Sequence, residues 1–475
     1  MKKIVIAVIL FAFIFPIKAQ QKNISGLWEG KLSVGVEIRL VFHFARNADG
    51  SYTGSMDSPD QGVKGIPCSA VLVSGDSVTA EMGSIKGAFK GLLTTDSLIS
   101  GNWKQGPGTY PLIMKQVKEL SSLKRPQTPQ PPFSYNSEDV VYTNADKSIH
   151  FGATFTYPKA AGPFPAAILI TGSGQQDRDE TIFEHKPFAI IADYLTKKGF
   201  VVLRVDDRGI GQTNGDVQAA TSMDFAGDVE AGIAWLKTRK ETDIKKMGLI
   251  GHSEGVLIAS IVASRNKDIS FVVMLAGPGI NGADLLTEQV AAVMNSSGVP
   301  IEASDAYKPI YRKIIEYVIT EKDSAAAYTK ARLAFSEWRR HQATAVLGAL
   351  NLSDSSNNEK IIGNMVKLLG SPWMKYFLAA DPQPMVQKFS CKVLALNGSK
   401  DVQVLPVPNL AGIRSALAKS KSKKYDVLQV EGVNHLFQHC KTCSPSEYGL
   451  LEESFAPEAL AIMGKWMDEN VLNAK

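Results

Sequence analysis

The pentapeptide Gly251-His252-Ser253-Glu254-Gly255 stands between the strand-like run MGLI at 247–250 and the helical stretch VLIASIVAS at 256–264. A Gly-x-Ser-x-Gly turn between strand and helix holds its serine on a sharp, strained elbow, and the flanking glycines remove side chains that would block it. This feature requires a strand whose carboxyl end meets a helix at the edge of a sheet. A small helical or purely antiparallel fold offers no such place.

The chain beyond Ser137 has the texture this demands. Strand-like runs (DVVYT, HFGATFTYP, AAILI, VVLRV, MGLI, FVVML, KVLAL and YDVLQV) alternate with longer helical stretches such as 223–239. Strand alternating with helix predicts an α/β fold with a mainly parallel sheet. Between FVVML at 271–275 and KVLAL at 392–396, over a hundred residues contain no convincing strand. They read as helices, including YKPIYRKIIEYVI, and hence as a helical cap inserted at 280–388. The α/β core is then split into 138–279 and 389–475.

Upstream the pattern differs. From residue 20 to 118, short alternating segments (VEIRLVFHF, SAVLV, YPLIM) are separated by Gly, Asp, Asn and Ser. Period-two alternation with frequent turn residues predicts a small all-β barrel or sandwich. Its Gly26-Leu27-Trp28 opening resembles that of lipocalin-like barrels. Residues 119–137, with Pro126, Pro129, Pro131 and Pro132, read as an extended linker. This arrangement predicts that 20–118 fold separately and are dispensable for chemistry.

The first twenty residues place Lys2 and Lys3 before an apolar run ending at Ile17, followed by the small residue Ala19. That is the layout of a secretory signal peptide, 1–19. We expect an exported protein, periplasmic or extracellular, with no stable membrane span after cleavage. Loss of Lys2, Lys3 and Lys18 lowers the formal charge from +5 to +2. No basic cluster suggests a nucleic-acid partner. Oligomeric state is not legible.

A serine hydroxyl needs a base within hydrogen-bond reach, itself oriented by an acid. On a strand–elbow–helix sheet these follow in the order serine, acid, histidine. Of seven histidines only His435 and His439 lie beyond both Ser253 and a plausible acid. His435, on the loop after YDVLQV, falls at the elbow's edge of the sheet. Asp401, five residues beyond VLAL, is the matching acid, whereas Asp426 sits at a strand start. One oxyanion donor is the amide after the nucleophile, Glu254. The second is assigned to Ser173 in the loop Thr171–Gly174. Trp373, Met374, Tyr376 and Phe377, just before the acid's strand, are candidate walls of an acyl pocket.

With these motifs in hand, residues 138–471 resemble the α/β-hydrolase superfamily, and within it a bacterial esterase and serine-hydrolase group. The resemblance is carried by ITGSGQQDRDE (170–180), DDRGIG (206–211), GHSEG (251–255), GSKDVQV (398–404) and VNHLFQ (433–438). It implies Ser253 as nucleophile, Asp401 as acid, His435 as base and the Ser173 and Glu254 amides as oxyanion donors. No cofactor is implied. Two departures are Val256, where many relatives carry a second glycine, and Cys440 and Cys443 near the histidine.

Together with His435 and His439, those cysteines also have the makeup of a zinc set, but a metal would consume the base, so none is expected. A local disulfide or two free thiols remain open. The four cysteines, Cys68 and Cys391 included, are too few for a disulfide-built scaffold. The chemistry predicted is hydrolysis of small or medium esters by a carboxylesterase. The alternatives are a serine peptidase of aminoacyl or dipeptidyl type, with Glu254 holding a substrate amino group, and a non-catalytic binding protein that uses the β domain.

Overall fold

A computed structural model describes residues 22–473 apart from 34–36, 107 and 121–123, and the expected signal peptide lies outside that range. The chain forms two compact units, up to residue 122 and from 123 onward. Among the described residues no helix is long and apolar enough to cross a membrane.

The first unit is a nine-stranded antiparallel sheet: β1 (Gly26–Ser33), β2 (Glu37–Arg46), β3 (Tyr52–Ser58), β4 (Val63–Pro67), β5 (Ala70–Ser74), β6 (Ser77–Met82), β7 (Gly87–Thr95), β8 (Leu98–Gln105) and β9 (Gly108–Val117). Neighbours in sequence pair except β4 and β5, and β1 pairs β9, giving the order β4-β3-β2-β1-β9-β8-β7-β6-β5. Alternate residues turn inward, so Leu40, Phe42 and Phe44 of β2 join Trp28, Phe89 and Trp103 in the core. Trp28 is fully buried and its Nε1–H donates to the Ile24 carbonyl at 2.7 Å.

The sheet curls into a half-barrel, the small all-β unit that the alternation predicts. β4 and β5 do not lie side by side. At their junction the Cys68 N–H donates to Gly54 O of β3 and the Ser69 N–H to Glu81 O of β6. One bent run of chain thus serves first one sheet edge and then the other. Pro67, which has no N–H to give a ladder, sits at the bend.

In the second unit the order is β10 (Asn136–Thr143), β11 (His150–Tyr157), β12 (Phe164–Ile170), α1 (Pro187–Lys197), β13 (Val201–Val205), α2 (Ser222–Leu236), β14 (Thr242–His252), α3 (Glu254–Arg265) and β15 (Ile269–Leu275). Seven helices follow: α4 (Gly282–Ser296), α5 (Ile301–Thr320), α6 (Ser324–Arg340), α7 (Thr344–Ala349), α8 (Asn358–Leu369), α9 (Pro372–Ala379) and α10 (Gln383–Val386). Then come β16 (Lys392–Gly398), α11 (Pro406–Ala418), β17 (Tyr425–Val430) and α12 (Pro457–Met467). The sheet order is β10-β11-β13-β12-β14-β15-β16-β17. Pairing is antiparallel at β10/β11 and β11/β13 and parallel elsewhere. This is the α/β-hydrolase architecture that the motifs imply.

Both sheet faces are covered, which is why its strands read as continuous apolar runs. In β12, Ala166, Ile168 and Ile170 pack with α2, α3 and α11, while Ala167 and Leu169 pack with α1 and α12. Helices α4–α10 leave after β15 and return before β16. They have a core of their own, including Ile314, Phe335, Ile362 and Leu378.

The proline-rich segment from residue 124 on is hydrogen-bonded onto the second unit. The Arg125 guanidinium donates to the carbonyls of Phe183 (2.8 Å), Gly449 (2.9 Å) and Leu451 (2.7 Å). Gln127 accepts from the Ser454 and Phe455 amides and donates to the Phe455 carbonyl at 2.6 Å. Tyr135 Oη donates to Asp193 of α1 at 3.0 Å. Hydrogen bonds to a charged group contribute about 1.5–3 kcal/mol. Arg125→Ala is therefore expected to lower stability by about 2 kcal/mol, read from urea unfolding. By the same argument a fragment starting at 137 should be less stable than one starting at 123. An unchanged midpoint for Arg125→Ala would show that the segment merely rests on the surface.

Candidate active site

Ser253 occupies the turn between β14 and α3 with φ 52° and ψ −121°. A non-glycine residue adopts this only where the surroundings enforce it. The enforcement is backbone contact. A Cβ on Gly251 would lie 2.3 Å from Gly255 O, and one on Gly255 would lie 2.2 Å from Ile170 O. Ser253 is pinned further by its N–H, which donates to Leu275 O at 2.9 Å. Val256, the departure from the usual second glycine, is fully buried, and a Cβ on Gly277 would come within 2.3 Å of its own Cβ. The bulk at 256 is accommodated by the missing side chain at 277.

Asp401 follows β16 and His435 follows β17. Asp401 Oδ2 meets His435 Nδ1 at 2.8 Å, with both residues buried. Asp401 Oδ1 accepts the Gln403 and Val404 amides at 2.7 and 2.8 Å, which fixes the carboxylate's orientation. A carboxylate only accepts, so Nδ1 carries the imidazole proton and Nε2 is the basic nitrogen. His439, the other histidine beyond the acid, lies apart from this pair. Its segment is a loop bridged back to Val433, and its ring faces Glu453 and Glu458 at the surface. Asp426, at the start of β17, accepts the Trp466 indole N–H at 2.9 Å.

Several contributors were not singled out from the sequence. Glu180, of the QDRDE run, is buried, and its Oε1 accepts the Gly172 N–H at 2.8 Å and faces His252 Nδ1 at 2.9 Å. His252 Nε2 in turn donates to the His435 main-chain carbonyl at 3.0 Å. On the far side of His435, Asn434 Oδ1 accepts the Leu436 and Gln438 amides. Gln438 contacts His185, which is buried against Ser454 and the Tyr448 carbonyl. Burial, aided by the Arg125 charge, lowers the His185 pKa to about 4, so this ring is a neutral spacer.

Ser173 lies on an exposed loop just past Gly172, whose Cβ position is 3.2 Å from the Ser253 Cβ. Glu254 opens α3, where a helix leaves its first amides without intrahelical acceptors. Its side chain is buried, and Oε1 accepts Ser222 Oγ–H at 2.6 Å and the Trp373 indole N–H at 2.7 Å. Burial raises the Glu254 carboxyl, with those two hydrogen bonds opposing.

The four expected pocket residues have different packing partners. Trp373 reaches Glu254 and stacks on Phe377. Met374 packs into the core of α4–α10, while Tyr376 and Phe377 pack against the sheet core. A cavity of about 70 Å³ lies elsewhere, between the ends of β12 and β13 and α2, lined by Phe151, Ile168, Val205, Asp207, Phe225 and Val229. Arg208 forks onto Asp228 at 2.7 and 2.8 Å, and Arg178 onto Asp206, which ties down the loops around its mouth. Cys440 and Cys443 form a disulfide. Among the described residues no group of three His, Cys, Asp or Glu is arranged to hold a metal ion.

Residues 184–344 match the family described as serine aminopeptidase, S33. Over 159 residues the chain is 32% identical to the esterase EstD of Thermotoga maritima, covering 34% of this chain and 36% of that one. Over 141 residues it is 28% identical to an acyl transferase of Shewanella hanedai, covering 30% and 42% respectively. The chain thus spans only about two fifths of the length of these curated relatives, or less. Among solved structures, an esterase of Pyrococcus furiosus aligns over 74% of this chain and 100% of its own, at 14% identity and a TM-score of 0.41.

Asp207, beside the elbow, yields a pH prediction. Burial raises its carboxyl to about 7; the hydrogen bonds from Gln176 N–H and Thr171 Oγ–H oppose this, and the Glu180 and Glu254 charges add to it. The folded chain therefore holds this proton to higher pH than the unfolded chain, whose aspartates titrate near about 3.9. The group's contribution to stability is complete below that value and is lost as pH rises to about 7. Asp207→Asn carries no such charge. Its unfolding free energy should gain on the parent between about pH 4 and 7 and keep a constant lead above, as read from urea midpoints across that range. A pH-independent difference would show that Asp207 titrates normally.

Proposed function

We propose that this chain, whose second unit belongs to the α/β-hydrolase superfamily, is a serine esterase that cleaves small or medium carboxylic esters through an acyl-enzyme on Ser253. The observation that carries the reading is the buried Asp401–His435 pair at 2.8 Å, presented at the sheet edge where Ser253 is held in its strained turn. In the proposed reaction His435 Nε2 takes the hydroxyl proton as Ser253 Oγ attacks the ester carbonyl. The Ser173 and Glu254 amides receive the oxyanion. His435 then protonates the departing alcohol, and water repeats the sequence to release the acid.

A peptidase reading is favoured by the description of the matching family. Against it stands the use of Glu254, whose carboxyl already accepts from Ser222 and Trp373 and is held toward its neutral form, so it is a poor partner for a substrate ammonium. Transfer of the acyl group to an acceptor other than water would share the same acyl-enzyme. The lysine-led apolar start and the Cys440–Cys443 disulfide support export to an oxidising compartment.

Fluorophosphonate labelling followed by a panel of acyl esters and aminoacyl amides tests the reading. Ser253→Ala and His435→Ala should each nearly abolish ester turnover without unfolding the protein. Asp401→Asn should cost about 10⁴-fold by losing the imidazole's orientation. Ester turnover surviving in Ser253→Ala would refute the mechanism, and amides turned over faster than esters would favour the peptidase.

Helices α4–α10 are proposed as a cap, with Trp373 as the link to the elbow. Trp373→Phe keeps the ring and deletes the hydrogen bond to Glu254, whereas Trp373→Ala deletes both. If the ring sets acyl size, only the alanine variant should change kcat/KM preference along an acyl-chain series. Equal losses at every chain length in both variants would mean that the hydrogen bond matters and the ring does not.

A further inference from the structure

On the esterase reading, we infer that the buried Glu180–His252 pair is a positioning device that holds the oxyanion loop and the backbone of His435 in one register. Neither residue touches the reacting atoms. Their contacts nevertheless run to both halves of the machinery. Glu180 Oε1 accepts the Gly172 N–H at 2.8 Å, which fixes the loop one residue before Ser173, the proposed oxyanion donor. The same oxygen faces His252 Nδ1 at 2.9 Å, and His252 Nε2 meets the His435 carbonyl at 3.0 Å. The two imidazole centroids are 4.9 Å apart. His252 directly precedes Ser253, so a single chain of hydrogen bonds passes from the oxyanion loop through the nucleophile's neighbour to the base.

The protonation pattern follows from these partners. A carbonyl oxygen only accepts, so Nε2 of His252 must bear a hydrogen. Nδ1 faces a carboxylate oxygen that already accepts Gly172, which favours a second hydrogen there and an imidazolium–carboxylate pair. Burial opposes the charge, but the Glu180 charge and hydrogen bond, the His435 carbonyl and Asp401 outweigh it and raise the His252 pKa. The titratable groups facing the pair are Asp401 after β16, His435 after β17 and, across Glu180, Asp207 after β13. From α1 and β15 the facing side chains are apolar: Phe188, Ile191 and Leu275.

The test uses the full chain with p-nitrophenyl acetate from pH 6 to 10, and fluorophosphonate labelling rates in parallel. Glu180→Gln is isosteric and removes the charge. It should lower kcat by about 10- to 100-fold, the scale expected for misplaced catalytic groups, with KM within about twofold. Without the carboxylate, His252 keeps only the His435 carbonyl and the Asp401 charge against burial. It then loses its proton at lower pH, and the alkaline fall in kcat should begin earlier than in the parent. His252→Gln keeps a donor for the His435 carbonyl and should retain more activity than His252→Leu. That pair decides the matter if Glu180→Gln fails to fold. A parent enzyme that labels and turns over, with Glu180→Gln matching its kcat and pH profile or His252→Leu matching His252→Gln, overturns the inference alone. A parent that neither labels nor hydrolyses any ester overturns the esterase reading and the inference with it.

Discussion

The second unit depends on the close approach of the α3 N-terminus to the end of β12. A Cβ at Gly255 would sit 2.2 Å from Ile170 O, and one at Gly251 would sit 2.3 Å from Gly255 O, so nothing larger than hydrogen fits at either position. That contact bends the chain within one residue and puts the strain on Ser253. The neighbouring strands β12, β14, β15, β16 and β17 all run parallel. Their carboxyl ends share one edge, and the loops after β16 and β17 deliver Asp401 and His435 there. Parallel pairing thus brings the turn at 253 and the loops carrying 401 and 435 to one edge of the sheet.

What could be read from the sequence is what local pattern determines. The strand–elbow–helix run, the acid after VLAL and the histidine after YDVLQV are each fixed by a few consecutive residues and by chain order. The alternation of strand and helix, and the helices between 275 and 392, follow from periodicity. Other features depend on partners far away in the chain. The proline-rich segment looked like a free linker because its composition is that of one; Arg125 and Gln127 dock it through carbonyls and amides some 58 to 328 residues away, which carry no side-chain signature. The half-barrel hinges on a corner at Pro67–Ser69 whose two hydrogen bonds go to different edges. His252 and Glu180 lay inside recognised motifs, yet their pairing is a tertiary fact that neither motif contains.

Trp373 illustrates the same limit from the other direction. Its position just before the acid's strand suggested an apolar wall, and hydrophobic pattern says no more than that. The indole also has one donor, and in a buried setting that donor needs an acceptor. It finds Glu254, whose buried carboxyl also accepts the Ser222 hydroxyl. Two groups that are each costly to bury alone are inexpensive to bury together, and the result ties α9 to the first residue of α3. The sequence lists both residues but not the need that joins them.

Three carboxyl groups, Glu180, Asp207 and Glu254, crowd the region where the esterase reading places a developing oxyanion. Left fully charged, they would oppose it, since repulsion between like charges is weakly screened in a buried site. One is moderated by a charged neighbour and two by burial. Glu180 faces the His252 ring and is balanced by it. Asp207 is raised to about 7 by burial, and Glu254 is raised by burial while Ser222 and Trp373 satisfy its oxygen. Desolvation, usually a cost to be offset, here removes negative charge from the elbow by favouring the protonated acids. The fixed amide dipoles of the Gly172–Gly174 loop and of the α3 N-terminus then meet less opposition when they receive a negative oxygen. Asp401 is held differently: one oxygen accepts two backbone amides and the other faces the imidazole of His435, so its place beside the ring is fixed from both sides.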